Sequence, residues 1–298
     1  MTPARIAEFR NGALRFPVAD VGPLAGEPVL LLHGWPQDHR SWQALTPLLT
    51  GAGYRTYAPD LRGASATASP RSRLAYRSSA LTGDAVAAID RIGQPVHVVG
   101  HDWGAVQAWT LATGRPDLVR SLTALSVPHP GAFLRSMLSS TQLVRSWYMY
   151  LFQLPVLPEL LLRRRTLLTR FLLASGQDRG AAERDAARLA SRALARGGLN
   201  WYRGAPFTAP GALRSTTPVP VLQVWSDRDV AVLRRGSELA RRHASGRFTL
   251  RVLPGVSHWI PEAAPETLAT MLVEHFRYRA PLDQGGRPPV SDGHSGSA

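Results

Sequence analysis

The chain has 298 residues, 44% of them apolar and 19% charged, which suits one large α/β domain or a core domain with an insertion. It has no cysteine, which excludes disulfides and thiolate metal sites. It also shows neither an apolar signal segment nor a run of about 20 apolar residues that could cross a bilayer, so we expect a cytoplasmic protein. The formal net charge of +14 comes from arginines spread from Arg5 to Arg287, not grouped on one element among aromatic residues, so no nucleic-acid partner is expected.

The first predicted element is a β-hairpin over Glu8–Phe16 with an Asn11-Gly12 turn. After it, short apolar runs alternate with helix-forming segments. The predicted strands are Pro28–Leu32, Arg55–Ala58, Val96–Val99, Leu122–Val127, Val219–Trp225 and Phe248–Leu253. The predicted helices lie near Ser41–Thr50, Ser78–Arg91, Ala105–Thr113, Arg234–His243 and Pro265–Phe276. Continuous apolar strands separated by helices indicate an α/β fold with a mostly parallel sheet covered on both faces.

The alternation stops between Pro128 and about Thr217, where a helical pattern rich in leucine, arginine and aromatic residues takes over. We expect a helical cap at 129–216 inserted into a core formed by 1–128 and 217–280, with a disordered tail at 281–298. Within the cap, Arg163-Arg164-Arg165 falls among leucines, which is typical of the solvated face of an amphipathic lid helix. A membrane-surface role for Leu157–Leu173 is the alternative interpretation.

The sharpest motif is Val96-His97-Val98-Val99-Gly100-His101-Asp102-Trp103-Gly104-Ala105. A β-branched strand meets a tight Gly-x-Asp-x-Gly turn before a helix, which is the context of a nucleophile elbow with Asp in place of Ser. A carboxylate with an ordinary pKa of about 3.9 needs no base to be nucleophilic, and a helix N-terminus stabilises its charge. Attack by Asp102 on a carbon electrophile would leave an ester that water can cleave.

Cleaving that ester requires an imidazole to deprotonate water and an acid to orient the imidazole. His258 follows the last predicted strand, and Asp229 follows the strand before it, so both should lie at the same edge of the sheet as Asp102. Asp227 competes with Asp229, and we prefer Asp229 because it lies deeper in the loop. His101 is expected to have a packing role.

Two backbone N–H groups are candidates for an oxyanion hole. His33-Gly34-Trp35-Pro36 directly follows a predicted strand, and the N–H of Trp35 can face a developing oxyanion there. The N–H of Trp103, the residue after the candidate nucleophile, is the second.

Four segments together resemble epoxide hydrolases of the α/β-hydrolase fold. They are His33-Gly34-Trp35-Pro36, Asp60-Leu61-Arg62-Gly63, Gly100-His101-Asp102-Trp103-Gly104 and Gly255-Val256-Ser257-His258-Trp259. The similarity runs from about Phe16 to Phe276. One departure is Ala64-Ser65-Ala66, where relatives usually carry a second glycine.

The resemblance implies two cap tyrosines that hold and protonate the epoxide oxygen. Tyr148, followed by a Phe-Gln pair, and Tyr202, within Asn-Trp-Tyr-Arg, match the family's tyrosine segments, with Tyr150 a near rival of Tyr148. Neutral phenols with pKa values near 10 can hydrogen-bond and protonate an alkoxide. The expected partners are an apolar epoxide and water, with no metal or organic cofactor.

The Asp elbow is shared with haloalkane dehalogenases, which form the alternative reading. Such an enzyme would grip the departing halide with Trp103 and either Trp147 or Trp201, and the tyrosine pair would have no purpose. A non-catalytic ligand-binding relative is the other alternative, although every proposed catalytic group is present.

Overall fold

The computed structural model describes residues 4–278, which form an eight-stranded sheet and thirteen α-helices. The strands are β1 Glu8–Asn11, β2 Leu14–Val21, β3 Glu27–Leu32, β4 Tyr54–Pro59, β5 Val96–His101, β6 Val119–Leu125, β7 Val221–Arg228 and β8 Phe248–Ser257. Their order in the sheet is β1-β2-β4-β3-β5-β6-β7-β8. The β1–β2 and β2–β4 pairs are antiparallel. All further pairs along the sheet, from β4 to β8, are parallel. The predicted α/β fold is therefore confirmed.

The helices fall into two groups. Those that connect or follow the other strands of the parallel sheet cover it, whereas a second group is inserted in the chain between β6 and β7. The helices are α1 Thr46–Gly51, α2 Ser78–Ile92, α3 Trp103–Gly114, α4 Pro130–Ser139, α5 Gln142–Arg145, α6 Trp147–Leu151, α7 Leu157–Leu162, α8 Arg165–Ala174, α9 Arg179–Arg188, α10 Arg192–Gly204, α11 Arg234–Leu239, α12 Ile260–Ala263 and α13 Pro265–Phe276. Seven of them, α4 to α10, separate β6 from β7 in the chain.

Two predicted helices differ in their extent. The one near Arg234–His243 ends as an α-helix at Leu239 and continues as a 3₁₀ turn over Ala240–His243. The pattern over Ser41–Thr50 suggested a single helix, but the chain forms a 3₁₀ turn at His39–Trp42 and then α1 from Thr46. Pro47 lies in the first turn of α1, where its missing N–H costs nothing, whereas a helix running through it would lose a hydrogen bond.

Two apolar clusters bury the two faces of the sheet. Along β3, Leu30 and Leu32 belong to one cluster, and Val29 and Leu31 belong to the other. Successive side chains of a strand point to opposite faces, so each face of this strand is covered. This double burial explains why β3 is a continuous apolar run.

The arrangement of the strands places five chain segments at one edge of the sheet. Parallel strands all end at the same edge, and here the residues that follow β3, β5, β6, β7 and β8 meet there. The tail expected at 281–298 lies outside the described residues. Within 4–278, no helix is long and apolar enough to cross a membrane.

Candidate active site

Asp102 occupies a tight turn between β5 and α3. Its backbone has φ 51° and it stands at the N-cap of α3, so the turn from strand to helix takes a single residue. The close approach of this turn to β3 requires glycine at position 104, because a Cβ there would lie 2.0 Å from the carbonyl oxygen of Leu32. The local sequence thus builds an elbow that presents Asp102 at the carboxyl edge of the sheet.

The Asp102 carboxylate has two partners. Its Oδ1 accepts a hydrogen bond of 2.9 Å from the backbone N–H of Trp35, and its Oδ2 lies 3.6 Å from Nε2 of His258. Burial by itself would raise the pKa of Asp102, but the charge of His258 and the Trp35 N–H hold that pKa below its usual value. Asp102 is therefore an anion at neutral pH.

His258 is buried directly after β8 and bonds Asp229. Its Nδ1 donates to Oδ2 of Asp229 over 2.7 Å. The other oxygen of Asp229 accepts from the N–H groups of Ala231 and Val232, at 2.8 and 2.9 Å. These bonds fix both the carboxylate and the imidazole that it faces.

The two candidate acids have different surroundings. Asp227 belongs to the end of β7, which is longer than predicted, and its exposed carboxylate accepts a hydrogen bond of 2.7 Å from the N–H of Gly255. Asp229 is buried against His258. The structure thus brings Asp229 and not Asp227 into contact with His258.

The charge of His258 depends on two carboxylates. Burial alone would lower its pKa, but Asp229 and Asp102 together raise the pKa of His258 to about 10. The imidazole is therefore protonated at neutral pH while Asp102 is ionised.

His101 does more than pack. Its Nε2 donates to the backbone carbonyl of His258 over 2.9 Å, and Oγ of Ser126 donates to the same carbonyl over 3.0 Å. Burial lowers the pKa of His101 to about 4, so it stays neutral.

Sequence reasoning did not single out Gln37, whose side chain lies 3.1 Å from Nδ1 of His101 and donates to Glu262 over 3.0 Å. Its place directly after His33-Gly34-Trp35-Pro36 is the signal that could have marked it.

Tyr148 on α6 and Tyr202 on α10 lie next to each other, with ring centroids 6.0 Å apart. The residues beside them tie the two segments together: the Gln153 amide donates to the carbonyl of Tyr202 over 3.1 Å, and Nε of Arg203 donates to the carbonyl of Phe152 over 2.9 Å. The sequence motifs Phe-Gln and Asn-Trp-Tyr-Arg therefore bond each other directly.

The rival tyrosine is placed differently. Tyr150 is 51% exposed, whereas its neighbour Tyr148 is half-buried and Tyr202 is buried. Burial raises the pKa of Tyr148 and of Tyr202, and the Asp102 carboxylate raises both further. Both phenols therefore keep their protons.

Asp102, His258, Tyr148 and Tyr202 line one cavity of about 240 Å³. Much of the remaining wall is apolar, with contributions from Trp35, Phe171, Leu172 and Trp259. Trp103, whose N–H was the second predicted oxyanion donor, begins α3 directly after Asp102 and stacks edge-on against Tyr202, with ring centroids 5.0 Å apart. The cavity can hold an apolar electrophile against a carboxylate, with two phenols beside it.

The described residues bring the possible metal-ligating atoms of Asp38, His39 and Asp60 within reach of one ion. None of the three lines the cavity that contains Asp102. Arg40 and Arg188 already pair with Asp38, and His39 pairs with Asp60. Ion pairing accounts for this cluster.

Comparisons of this chain with a family model and with known proteins point to the same family. The model of the alpha/beta hydrolase family matches residues 29–271. The chain is 31% identical over 268 residues to the AB hydrolase superfamily protein YfhM of Bacillus subtilis, covering 87% of this chain and 93% of that protein. It is 30% identical over 286 residues to epoxide hydrolase 3 of Xenopus tropicalis, covering 90% and 76%.

A solved structure agrees with these relatives. An epoxide hydrolase from Vigna radiata superposes with a TM-score of 0.74 at 27% identity, covering 88% of this chain and 93% of that one. The chain belongs to the α/β hydrolase family, and within that family to the epoxide hydrolases.

Proposed function

We propose that this enzyme converts an apolar epoxide to a vicinal diol through a covalent ester on Asp102. The observation that carries the proposal is the cavity in which Asp102, His258 and the two tyrosines meet. The hydroxyls of the tyrosine pair can hydrogen-bond an oxygen in this cavity. They therefore suit a substrate whose leaving group is an alkoxide that remains part of the same molecule.

In the first step, Tyr148 and Tyr202 donate hydrogen bonds to the epoxide oxygen. A carboxylate oxygen of Asp102 attacks the less hindered carbon from the opposite side, forming the ester C–O bond as the ring C–O bond breaks. One phenol gives its proton to the alkoxide. The imidazolium of His258 supplies the proton that restores this phenol, which leaves His258 neutral.

The second step follows from the loss of charge on Asp102. Esterification neutralises one of the two carboxylates that raise the pKa of His258, so that pKa falls when the ester forms. Neutral His258, held by Asp229, takes a proton from water, which attacks the ester carbonyl. The proton then passes to the leaving alkoxide, and the carboxylic acid of Asp102 returns its own proton to His258.

The tetrahedral oxyanion of the second step needs hydrogen-bond donors. The Trp35 N–H already donates to Oδ1 of Asp102 over 2.9 Å, which supports a role in binding that oxygen when it becomes an oxyanion. The Trp103 N–H, at the first residue of α3, is the proposed second donor.

We assign residues 129–216 as the cap of this active site. Tyr148 and Tyr202 come from its helices, whereas Asp102, Asp229 and His258 follow strands of the sheet. A cap that carries the tyrosines would also exclude bulk water from the ester.

A single turnover in ¹⁸O-water with enzyme in excess tests the ester. The oxygen transferred to substrate in the first turnover should come from Asp102, giving unlabelled diol and label in the peptide that contains Asp102. Labelled diol would mean that water attacks the epoxide directly.

Release of halide from a short haloalkane, with no diol formed from styrene oxide, would instead favour a dehalogenase. Trp201 argues against that outcome, because its indole N–H already donates to the carbonyl of Arg62.

A further inference from the structure

The helices between β6 and β7 carry an unusual amount of exposed apolar surface. Of the eighteen large apolar side chains that are exposed among residues 4–278, twelve lie within residues 134–171. The most exposed are Leu138, at 81%, and Val144, at 72%. We call the surface formed by the exposed residues of 134–171 the apolar face. Its concentration on one segment distinguishes it from the scattered apolar residues of an ordinary surface.

The same segment is strongly basic. It contains six exposed arginines and one acidic residue, Glu159, which is paired with Arg203. The arginines are Arg135, Arg145, Arg163, Arg164, Arg165 and Arg170. The apolar face therefore presents positive charge that no carboxylate of its own segment balances.

The apolar face opens onto the candidate active site. A second cavity of about 190 Å³ has an almost wholly apolar lining. Exposed Trp147, Leu167 and Phe171 all contribute to that lining, and Trp147 and Phe171 also line the cavity of Asp102. An apolar molecule reaching the face would thus meet a continuous apolar route inward.

We propose that the apolar face docks on the surface of an anionic lipid bilayer and that the enzyme takes apolar substrate from the lipid between Trp147 and Phe171. Exposed leucines and a tryptophan beside arginines match an interfacial surface, in which apolar side chains enter the headgroup boundary and cations face anionic lipids. The uptake of substrate rests on the proposed function, whereas the docking does not.

A second copy of the chain is a poorer occupant. In a two-fold dimer, the same patch faces itself, so these arginines would meet arginines. Like charges would oppose each other with no acidic partner on the face. An anionic bilayer supplies the missing negative charge.

Vesicle sedimentation tests the docking. The Asp102→Asn protein should bind vesicles of phosphatidylcholine mixed with phosphatidylglycerol far better than pure phosphatidylcholine, and added salt should weaken binding. Using this variant makes the result independent of epoxide turnover. Arg163→Gln/Arg164→Gln/Arg165→Gln in the same background should weaken binding by about a hundredfold, since each arginine near an anionic surface contributes roughly a factor of five.

The matched control removes three exposed arginines elsewhere, as Arg91→Gln/Arg242→Gln/Arg251→Gln. This triple has the same net charge and should lose much less binding. Leu138→Ser/Val144→Ser should also weaken binding, because it removes apolar anchors while keeping every arginine. Wild-type background versions of the two arginine triples should hydrolyse a short water-soluble epoxide equally well without vesicles.

Three results would overturn the proposal: no binding to anionic vesicles, equal loss in both arginine triples, or a stable dimer that Leu138→Ser/Val144→Ser dissociates. The last would identify the apolar face as a contact between copies. Normal vesicle binding with no epoxide turnover in the wild type would refute the proposed function and leave the docking intact.

Discussion

Nε2 of His258 lies 3.6 Å from Oδ2 of Asp102, while Nδ1 of the same ring donates to Asp229 over 2.7 Å. One imidazole therefore spans the candidate nucleophile and the candidate acid. The ring edge that faces the Asp102 carboxylate in the free enzyme would face the ester in the intermediate. This relationship should make the two proposed steps separable by mutation.

Replacing His258 with Gln should stop the reaction at the ester. Asp102 can still attack, and a tyrosine phenol can still give its proton to the alkoxide in that turnover, so the ester forms. No base remains to activate water, so steady-state turnover should fall by roughly 10²–10⁴-fold. Intact mass spectrometry should show the protein plus one epoxide. The Asp102→Ala protein should carry no adduct, and normal turnover by His258→Gln would assign the base to another residue.

Replacing Tyr148 or Tyr202 with Phe should slow formation of the ester. Each change removes one donor to the developing alkoxide, and the loss of one such donor costs about 10²–10³ in rate. Single-turnover kinetics measures the step directly. Tyr150→Phe is the matched control, because Tyr150 is exposed. A slow Tyr150→Phe beside a normal Tyr148→Phe would exchange the roles of these two tyrosines.

The two aspartates near β7 offer a matched pair. Asp229→Asn should slow hydrolysis of the ester, by up to about 10⁴-fold if the amide also favours the wrong tautomer of His258. Asp227→Asn removes a charge two residues away in the chain, but it disturbs only a hydrogen bond from the N–H of Gly255. Its rate of ester hydrolysis should remain close to that of the wild type. Equal effects of the two changes would contradict the assignment of Asp229.

The free energy of unfolding should fall at alkaline pH because folded His258 loses its proton there. Burial opposes the shift, but Asp229 and Asp102 raise the pKa of folded His258 to about 10, whereas an unfolded histidine has a pKa of about 6.5. The folded state thus binds the proton more tightly, and the resulting stabilisation is complete below pH of about 6.5 and is lost as the pH rises toward 10.

Urea unfolding across this range should therefore show a falling free energy of unfolding. Neither lysine nor cysteine is present to titrate in the same range. His39, whose pKa Asp60 raises, contributes in the same direction, and so do the tyrosines whose pKa burial raises once the pH nears 10. The fall should be clearly smaller in His258→Gln. An unchanged slope in that variant would show that the pKa of His258 is not raised by folding.

Glycine at position 104 should be essential to the elbow. Gly104→Ala would place a Cβ 2.0 Å from the carbonyl oxygen of Leu32, so β3 and α3 must separate. The resulting overpacking should cost at least about 1–3 kcal/mol in the free energy of unfolding. Gly114→Ala, at the other end of α3, meets nothing within 4 Å and should be close to neutral. Thermal unfolding of both variants compares them, and equal melting temperatures would contradict the close approach.

The parallel sheet and the Asp102 elbow could be predicted from the sequence because each depends on neighbouring residues. Apolar runs such as Val96–Val99 specify buried strands, and glycines around Asp102 permit a turn that larger residues would block. Asp102, Asp229 and His258 each lie at or just after the carboxyl end of a predicted strand, and in a parallel sheet those ends share one edge.

Other features of the site depended on contacts between distant segments. Asp227 and Asp229 are distinguished by the pairing of β7 with β8, which continues to Arg228 and Ser257 and leaves Asp227 on an exposed strand end. Tyr148 and Tyr150 lie about 200° apart around a helix, but only the packing of α6 against α10 decides which one faces inward. The exposure of Trp147 and Phe171 was equally undetermined, because an amphipathic pattern shows that a helix has an apolar side and not what covers it. Tertiary packing decides that, since burial is a property of the surfaces that meet and not of the segment alone.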